Sequence, residues 1–192
     1  MANKIKHNYQ TLEGWFNMEE QYLELLNSIP DGGTFIELGA YKGKSTSYIV
    51  TEIVNNNKNV NFITIDTFKG ESGSTDKEEI IAYKKVDVSK MYEEFNENTK
   101  HLKDSFKVII GKSDDSSVNF DDDSVDAIFI DAGHSYESVY NDIKSWLPKI
   151  KNGGIISGHD YGSWPGVKLA VDEIFVKIDK IENNCWFVKI NK

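Results

Sequence analysis

Residues 125–137 read VDAIFIDAGHSYE. The run from Val125 to Ile130 is apolar at nearly every position, the pattern of a strand buried on both faces. An acid, a glycine and an imidazole follow within four residues: Asp131, Gly133 and His134. Residues 153–162, GGIISGHDYG, repeat the arrangement, with an apolar run that ends in His159 and Asp160. Each stretch puts polar chemistry where a buried strand surfaces.

Outward from these two strands the chain alternates. TFIELGA (34–40), NFITIDTF (61–68) and FKVIIGKS (106–113) read as further strands. Two short strands near 177–183 and 185–190 bring the number to seven. GKSTSYIVTEIV (43–54), SYESVYNDIKSWLPKI (135–150) and GVKLAVDEIFV (166–176) read as helices, the second with Val139, Ile143, Trp146, Leu147 and Ile150 on its buried side. The Asp/Ser-rich turn after residue 113 suits a short helix. Residues 8–28 suit an amphipathic N-terminal helix with Trp15, Phe16, Met18, Tyr22, Leu23, Leu25, Leu26 and Ile29 on its apolar face, broken by Pro30-Asp31-Gly32-Gly33. Strand–helix alternation predicts a doubly wound α/β fold whose sheet is mostly parallel, with an antiparallel last strand. The polar segment 69–105 interrupts the alternation; it is too long for a plain connection, carries a predicted helix near 91–102, and reads as a lid or a solvated insertion.

The bulk numbers agree with one domain over residues 1–192, in which 1–30 form an N-terminal helical segment. A chain of 192 residues, 39% hydrophobic and 12% aromatic, holds enough apolar material for a core. The balance of 31 acids against 22 bases, net −9, argues against nucleic acid as a partner. No apolar run approaches the roughly 20 residues of a membrane helix, so no membrane association is expected. The first ten residues, MANKIKHNYQ, contain no secretory h-region, and the one cysteine, Cys185, has no partner in the chain; both fit a cytoplasmic protein. A homo-oligomer is compatible with all of this.

In parallel sheets of this kind a ligand sits beyond the carboxyl ends of the strands, where strand order reverses. Asp131, His134, His159 and Asp160 all fall on that edge. So does the turn E-L-G-A-Y-K-G (37–43), where Gly39 and Gly43 allow close approach of backbone to a ligand; an ordinary tight turn would look the same. The turn is neither G-x-G-x-x-G nor G-x-x-x-x-G-K-[ST]. Asp66 ends the second strand, 23 residues after Gly43, where an acid accepts from two ribose hydroxyls or caps a loop. Ser113 and Asp114 hold the equivalent place on the third strand, beside an adenine or as a helix cap.

These residues together resemble the class I S-adenosylmethionine-dependent methyltransferases over roughly residues 30–190. E-L-G-A-Y-K-G is similar to that family's E-x-G-x-x-x-G loop, and Asp66 to its ribose-binding acid. The longer string IFIDAGHSYESVYNDIKSWLPKIKNGGIISGHDY (128–161) resembles the small-sugar and natural-product O-methyltransferase branch, written IDG-x-HSYE…D…L-x-x-GG…HDY. The departure is Ala132-Gly133, where the pattern has Gly and an acid.

The resemblance implies a Rossmann-like fold and a bound S-adenosyl-L-methionine. Glu37, Gly39, Ala40, Gly43, Ser45, Asp66, Thr67, Ser113, Asp114 and Asp131 are its expected contacts. It implies a divalent cation, Mg²⁺ or Mn²⁺, at Asp131, His159 and Asp160. Relatives often carry an acid where His159 stands, and imidazole suits transition metals better than Mg²⁺. The catalytic set is then Asp131, His134 and His159, with an imidazole as base for a hydroxyl acceptor. Plain strand-end and helix caps are the structural alternatives for Asp131, His134 and Asp160. Tyr161 and Trp164, in or beside GSWPG (162–166), are the expected walls for a small-molecule acceptor. Acceptors with nitrogen or a carboxylate, a nucleotide-dependent dehydrogenase and a nucleoside-binding module without turnover stay open as alternatives.

Overall fold

The computed structural model describes residues 4–70 and 87–192. Residues 71–86 of the expected lid lie outside the described residues. In chain order the elements are α1 (Glu19–Ser28), β1 (Gly33–Leu38), α2 (Lys44–Asn55), β2 (Val60–Asp66), α3 (Met91–Thr99), β3 (Lys107–Ile110), α4 (Ser113–Ser116), β4 (Val125–Ile130), α5 (Tyr136–Trp146), β5 (Ile150–Gly158), α6 (Pro165–Ile174), β6 (Lys180–Glu182) and β7 (Cys185–Lys189). The seven strands form one sheet in the order β3-β2-β1-β4-β5-β7-β6. The pairs β1–β2, β1–β4, β2–β3 and β4–β5 are parallel, and β7 runs antiparallel to both β5 and β6. Strand order reverses between β1 and β4, the switch point at which such sheets bind ligands.

Both faces of the sheet are covered, which is why its strands are apolar on successive residues. On β1, Phe35 packs into a layer with Tyr22, Leu25 and Leu26 of α1 and Ile49 of α2. Its neighbours Ile36 and Leu38 pack into the opposite layer with Val139, Ile143 and Trp146 of α5 and Val167 and Ala170 of α6. Burying each such side chain contributes about 1.5–3 kcal/mol. Glu37 lies in β1 between Ile36 and Leu38, so period two puts it on the Phe35 face, toward α1 and α2.

Two segments differ from expectation. The N-terminal helix predicted over 8–28 is instead a 3₁₀ turn at Tyr9–Thr11, an irregular stretch through 12–18, and α1 from Glu19. Gly14, at φ +132°, breaks the helical path. The helix predicted to run to 150 ends at Trp146 in a 3₁₀ turn carrying Pro148, and β5 begins directly at Ile150. The predicted helix of the insertion is present as α3 plus a 3₁₀ turn at Lys100–Leu102. α3 docks against the fold: its Met91 and Phe95 pack with Ala40 and Phe68. Among the described residues no helix is long and apolar enough to cross a membrane.

Candidate active site

A cleft of about 630 Å³ opens along the carboxyl ends of β1, β2, β4 and β5. Its lining includes Gly39, Ala40, Ser45, Asp66, Thr67, Ser113, Asp114, Asp131, His134, His159, Asp160 and Trp164. Most of the residues singled out from the sequence therefore share one cavity.

At the β1–β2 end the cleft is formed by backbone. Gly39 has φ +92°, and a Cβ there would lie 2.0 Å from the Asp131 carbonyl oxygen, so only glycine fits. Asp66 organises the loop that follows. Its Oδ2 accepts from the amides of Ala40 and Tyr41 at 2.7 and 2.8 Å, and its Oδ1 accepts from the Phe68 amide at 2.7 Å. A carboxylate has about four acceptor positions, so one remains on Oδ1 for a ligand donor. Asp66 lines the cleft with this acceptor position turned to the ligand side of the loop's amides.

Two cofactor expectations are corrected. Glu37 does not line the cleft: it is completely buried, and its carboxylate accepts from Tyr22 Oη at 3.0 Å and Thr46 Oγ1 at 2.5 Å. Burial pushes its carboxyl upward, against the hydrogen bonds that favour the ionised form. The Tyr22 hydroxyl is raised well above its ordinary value by its own burial and by Glu37. Glu37 therefore ties α1 and α2 to the strand beneath the loop. Gly43 does not line the cleft either; it caps α2 at φ +83°, and a Cβ there would strike Thr99 and Phe95. It is needed for docking of α3.

At the β4–β5 end the cleft is formed by side chains. The Asp131 amide donates to Leu38 O, and the His159 amide to Ile130 O, which fixes where the strands release the chain. Asp160 then takes φ +64°, a left-handed conformation uncommon for a residue with a Cβ. Its carbonyl accepts from the amides of Ser163 and Trp164, closing a tight turn. The turn brings the Asp160 carboxylate back to two imidazoles: His134 Nε2 lies 3.0 Å from Oδ2, and His159 Nδ1 3.2 Å from Oδ1. His159 Nδ1 is also 3.8 Å from Asp131 Oδ1. The His134 ring stacks on Trp164, centroids 4.8 Å apart.

The electrostatics separate the two acids. Burial pushes the Asp131 carboxyl up, and nearby Asp160 adds to this, against the two imidazoles. Burial also opposes ionisation of Asp160, but hydrogen bonds from His134 and His159 win and hold its carboxyl far below the usual range. Burial works against a charged His159, yet the Asp160 hydrogen bond and the Asp131 charge raise its imidazole above the ordinary value. Asp160 is thus a firm anion between two imidazoles.

Asp131, His134 and Asp160 each offer a ligand atom within 4.8 Å of the others. Two carboxylates and an imidazole fit a divalent cation of the Mn²⁺ or Fe²⁺ type better than Mg²⁺. The expected third ligand, His159, is replaced in this converging set by His134, because the Asp160 turn aims Oδ2 at the start of α5. Tyr161 is also corrected: it does not line the cleft, and its hydroxyl is bonded to Asp172 Oδ1 at 2.6 Å and to Lys168 Nζ at 2.8 Å on α6. Trp164 does line the cleft.

Sequence reasoning passed over Trp15, Met91, Glu137, Ser138, Asn141 and Asp142, all of which line the cleft. Four of them form a polar stripe at helical spacing on α5, a signal that was present. Asp142 is bonded to Ser113 Oγ, and Trp146 Nε1 donates to Ser113 O at 2.9 Å, so α5 also holds the β3 end of the cleft.

The chain is similar in sequence and in fold to known proteins. An uncharacterized protein of Acanthamoeba polyphaga mimivirus is 29% identical over 155 residues, 77% of this chain; the chain spans 62% of that relative's length. Among solved structures, the O-methyltransferase NovP superposes with a TM-score of 0.72 at 18% identity, covering 91% of this chain and 79% of NovP. An rRNA methylase from Streptococcus thermophilus superposes with a TM-score of 0.56 at 10% identity, covering 90% of this chain and 95% of that one. At these identities the structures share the fold alone. The model of a family described as a methyltransferase domain matches residues 36–161, from within β1 through the Asp160 turn, and so takes in both ends of the cleft; the chain belongs to that methyltransferase family.

Proposed function

We propose that the protein transfers the methyl group of S-adenosylmethionine to a hydroxyl oxygen of a small molecule. The observation that carries the reading is the asymmetry of the cleft. One end offers backbone amides and Asp66 to a nucleoside; the other offers an acid flanked by two imidazoles. The likeness to an O-methyltransferase supports an oxygen acceptor, and the net charge of −9 speaks against an RNA.

The sulfonium already activates the methyl group, so catalysis rests on aligning acceptor oxygen, methyl carbon and sulfur. Asp131, at the junction of the two ends, borders both ligands. The acceptor hydroxyl also loses a proton as the new C–O bond forms. His134 takes it, and Asp160 stabilises the imidazolium that results. His159, whose imidazole is raised by the Asp160 hydrogen bond and the Asp131 charge against its burial, is the group beside the acceptor oxygen that can meet its developing negative charge. Trp164 braces the His134 ring. Asp131, His134 and Asp160 could instead hold a divalent cation, which would lower the pKa of the acceptor hydroxyl; His134 would then be a ligand in place of its role as base.

Calorimetric titration of the purified protein with S-adenosylmethionine, S-adenosylhomocysteine and NAD tests the cofactor. EDTA is present first, then Mg²⁺ or Mn²⁺ is added. Binding of the two sulfur compounds and none of NAD is expected. Binding of NAD alone, or of none of the three, overturns the reading.

A further inference from the structure

Residues 12–18, LEGWFNM, were expected in a helix and instead form an irregular strap beside the glycine loop. The strap is tied down along its length. The Glu13 carboxylate accepts from Lys42 Nζ at 2.7 Å and from Tyr41 Oη at 3.3 Å. Gly14 O accepts from Lys44 Nζ at 3.1 Å, and a Cβ on Gly14 would come within 3.3 Å of the Tyr41 ring. Phe16 packs on Tyr9, Tyr22 and Tyr48. Asn17 O accepts from Asn183 Nδ2 at 2.6 Å.

Between these anchors Trp15 is 75% exposed while lining the cleft. Its ring contact among the described residues is Tyr41, centroids 5.7 Å apart. Tyr41 is itself one of the three residues whose amides Asp66 holds. A large indole left open on a firmly held backbone, at the rim of a cavity, is poorly explained by core packing. It is well placed to cover a ligand, since an indole offers a large rigid apolar face at small entropic cost.

We infer that Trp15 is a ligand-contacting residue: it closes the open side of the cofactor cleft and is covered when the cofactor binds. The inference rests on the cofactor reading above.

S-adenosylhomocysteine is the probe. Of the four tryptophans, Trp146 and Trp186 are buried, so cleft signals come from Trp15 and Trp164. The difference between wild-type protein and Trp15→Phe isolates the first. Fluorescence with acrylamide as quencher is recorded with and without the probe, beside calorimetry on both proteins. The probe is expected to protect the Trp15 component from quenching. Trp15→Ala is expected to bind the probe roughly threefold to tenfold more weakly, as for loss of one aromatic contact. A Trp15 component equally quenched in both states, while calorimetry records binding, overturns the inference. Absence of any binding heat in the wild-type protein overturns the cofactor reading instead.

Discussion

At the β1–β2 end of the cleft the protein presents backbone, whereas at the β4–β5 end it presents side chains. The first end is a loop in which Gly39 admits no Cβ and Asp66 holds three amides. The second is a cluster of two acids and two imidazoles gathered by the Asp160 turn. A backbone cradle is insensitive to side-chain chemistry and suits a ligand that never changes. A side-chain cluster is easily retuned, and suits the variable partner and the chemistry. The two ends should therefore respond to different substitutions in different measurements.

The largest effect is expected at the side-chain end. Asp160→Ala removes the anion between His134 and His159, and turnover should fall on the order of 10³-fold. Calorimetry on the same variant should show S-adenosylhomocysteine affinity within about threefold of wild type, since half a kcal/mol or so is typical away from a contact. Comparable loss of binding and turnover would erase the distinction between the ends. Asp66→Ala is the converse. It frees the Ala40, Tyr41 and Phe68 amides and removes the remaining acceptor position, so cofactor affinity should fall about 100-fold, the equivalent of about 3 kcal/mol. Wild-type affinity in this variant would remove Asp66 from the cofactor site.

Beneath the loop the expected effect is smaller and of another kind. Tyr22→Phe takes a donor from buried Glu37 and should lower unfolding stability by about 1–2 kcal/mol in a denaturant titration, leaving kcat unchanged. A drop in kcat without a drop in stability would make Glu37 a site residue after all.

The pH dependence of stability sharpens the comparison further. His159 has its folded value raised, so its contribution is fully present below the unfolded value near 6.5 and fades as pH rises through the folded value. Asp160 has its folded value depressed, so its contribution is present above the unfolded value near 3.9 and fades only in strong acid. Wild-type stability should therefore decline as pH rises through the neutral range. His159→Gln should flatten that decline, as followed by melting temperature at a series of pH values. An unchanged slope would mean that the His159–Asp160 pair contributes nothing to the pH response.

The same contrast explains what was legible in the sequence. The seven strands and the edge they share follow from apolar runs, and Gly39 and Asp66 stand out because backbone geometry restricts the residue type. Glu37 matched a motif, but its role depends on which face of β1 is covered by α1, and Tyr22 is remote from it in sequence. Tyr161 and His159 depended on the direction in which the chain leaves Asp160, and a positive φ at a non-glycine residue leaves no composition signal. Trp15, Phe16, Met18 and Tyr22 approximate a helical stripe and so predict a helix through Trp15, but Gly14, at φ +132°, breaks it.

The most direct test is a crystal structure of the protein with S-adenosylhomocysteine. The account predicts a nucleoside beside Asp66, the adenine toward Ser113 and Asp114, and the sulfur turned toward Asp131 and His134. A ligand lying in the reverse direction, with its adenine among His134, His159 and Asp160, would contradict the division of the cleft into a cofactor end and a reaction end.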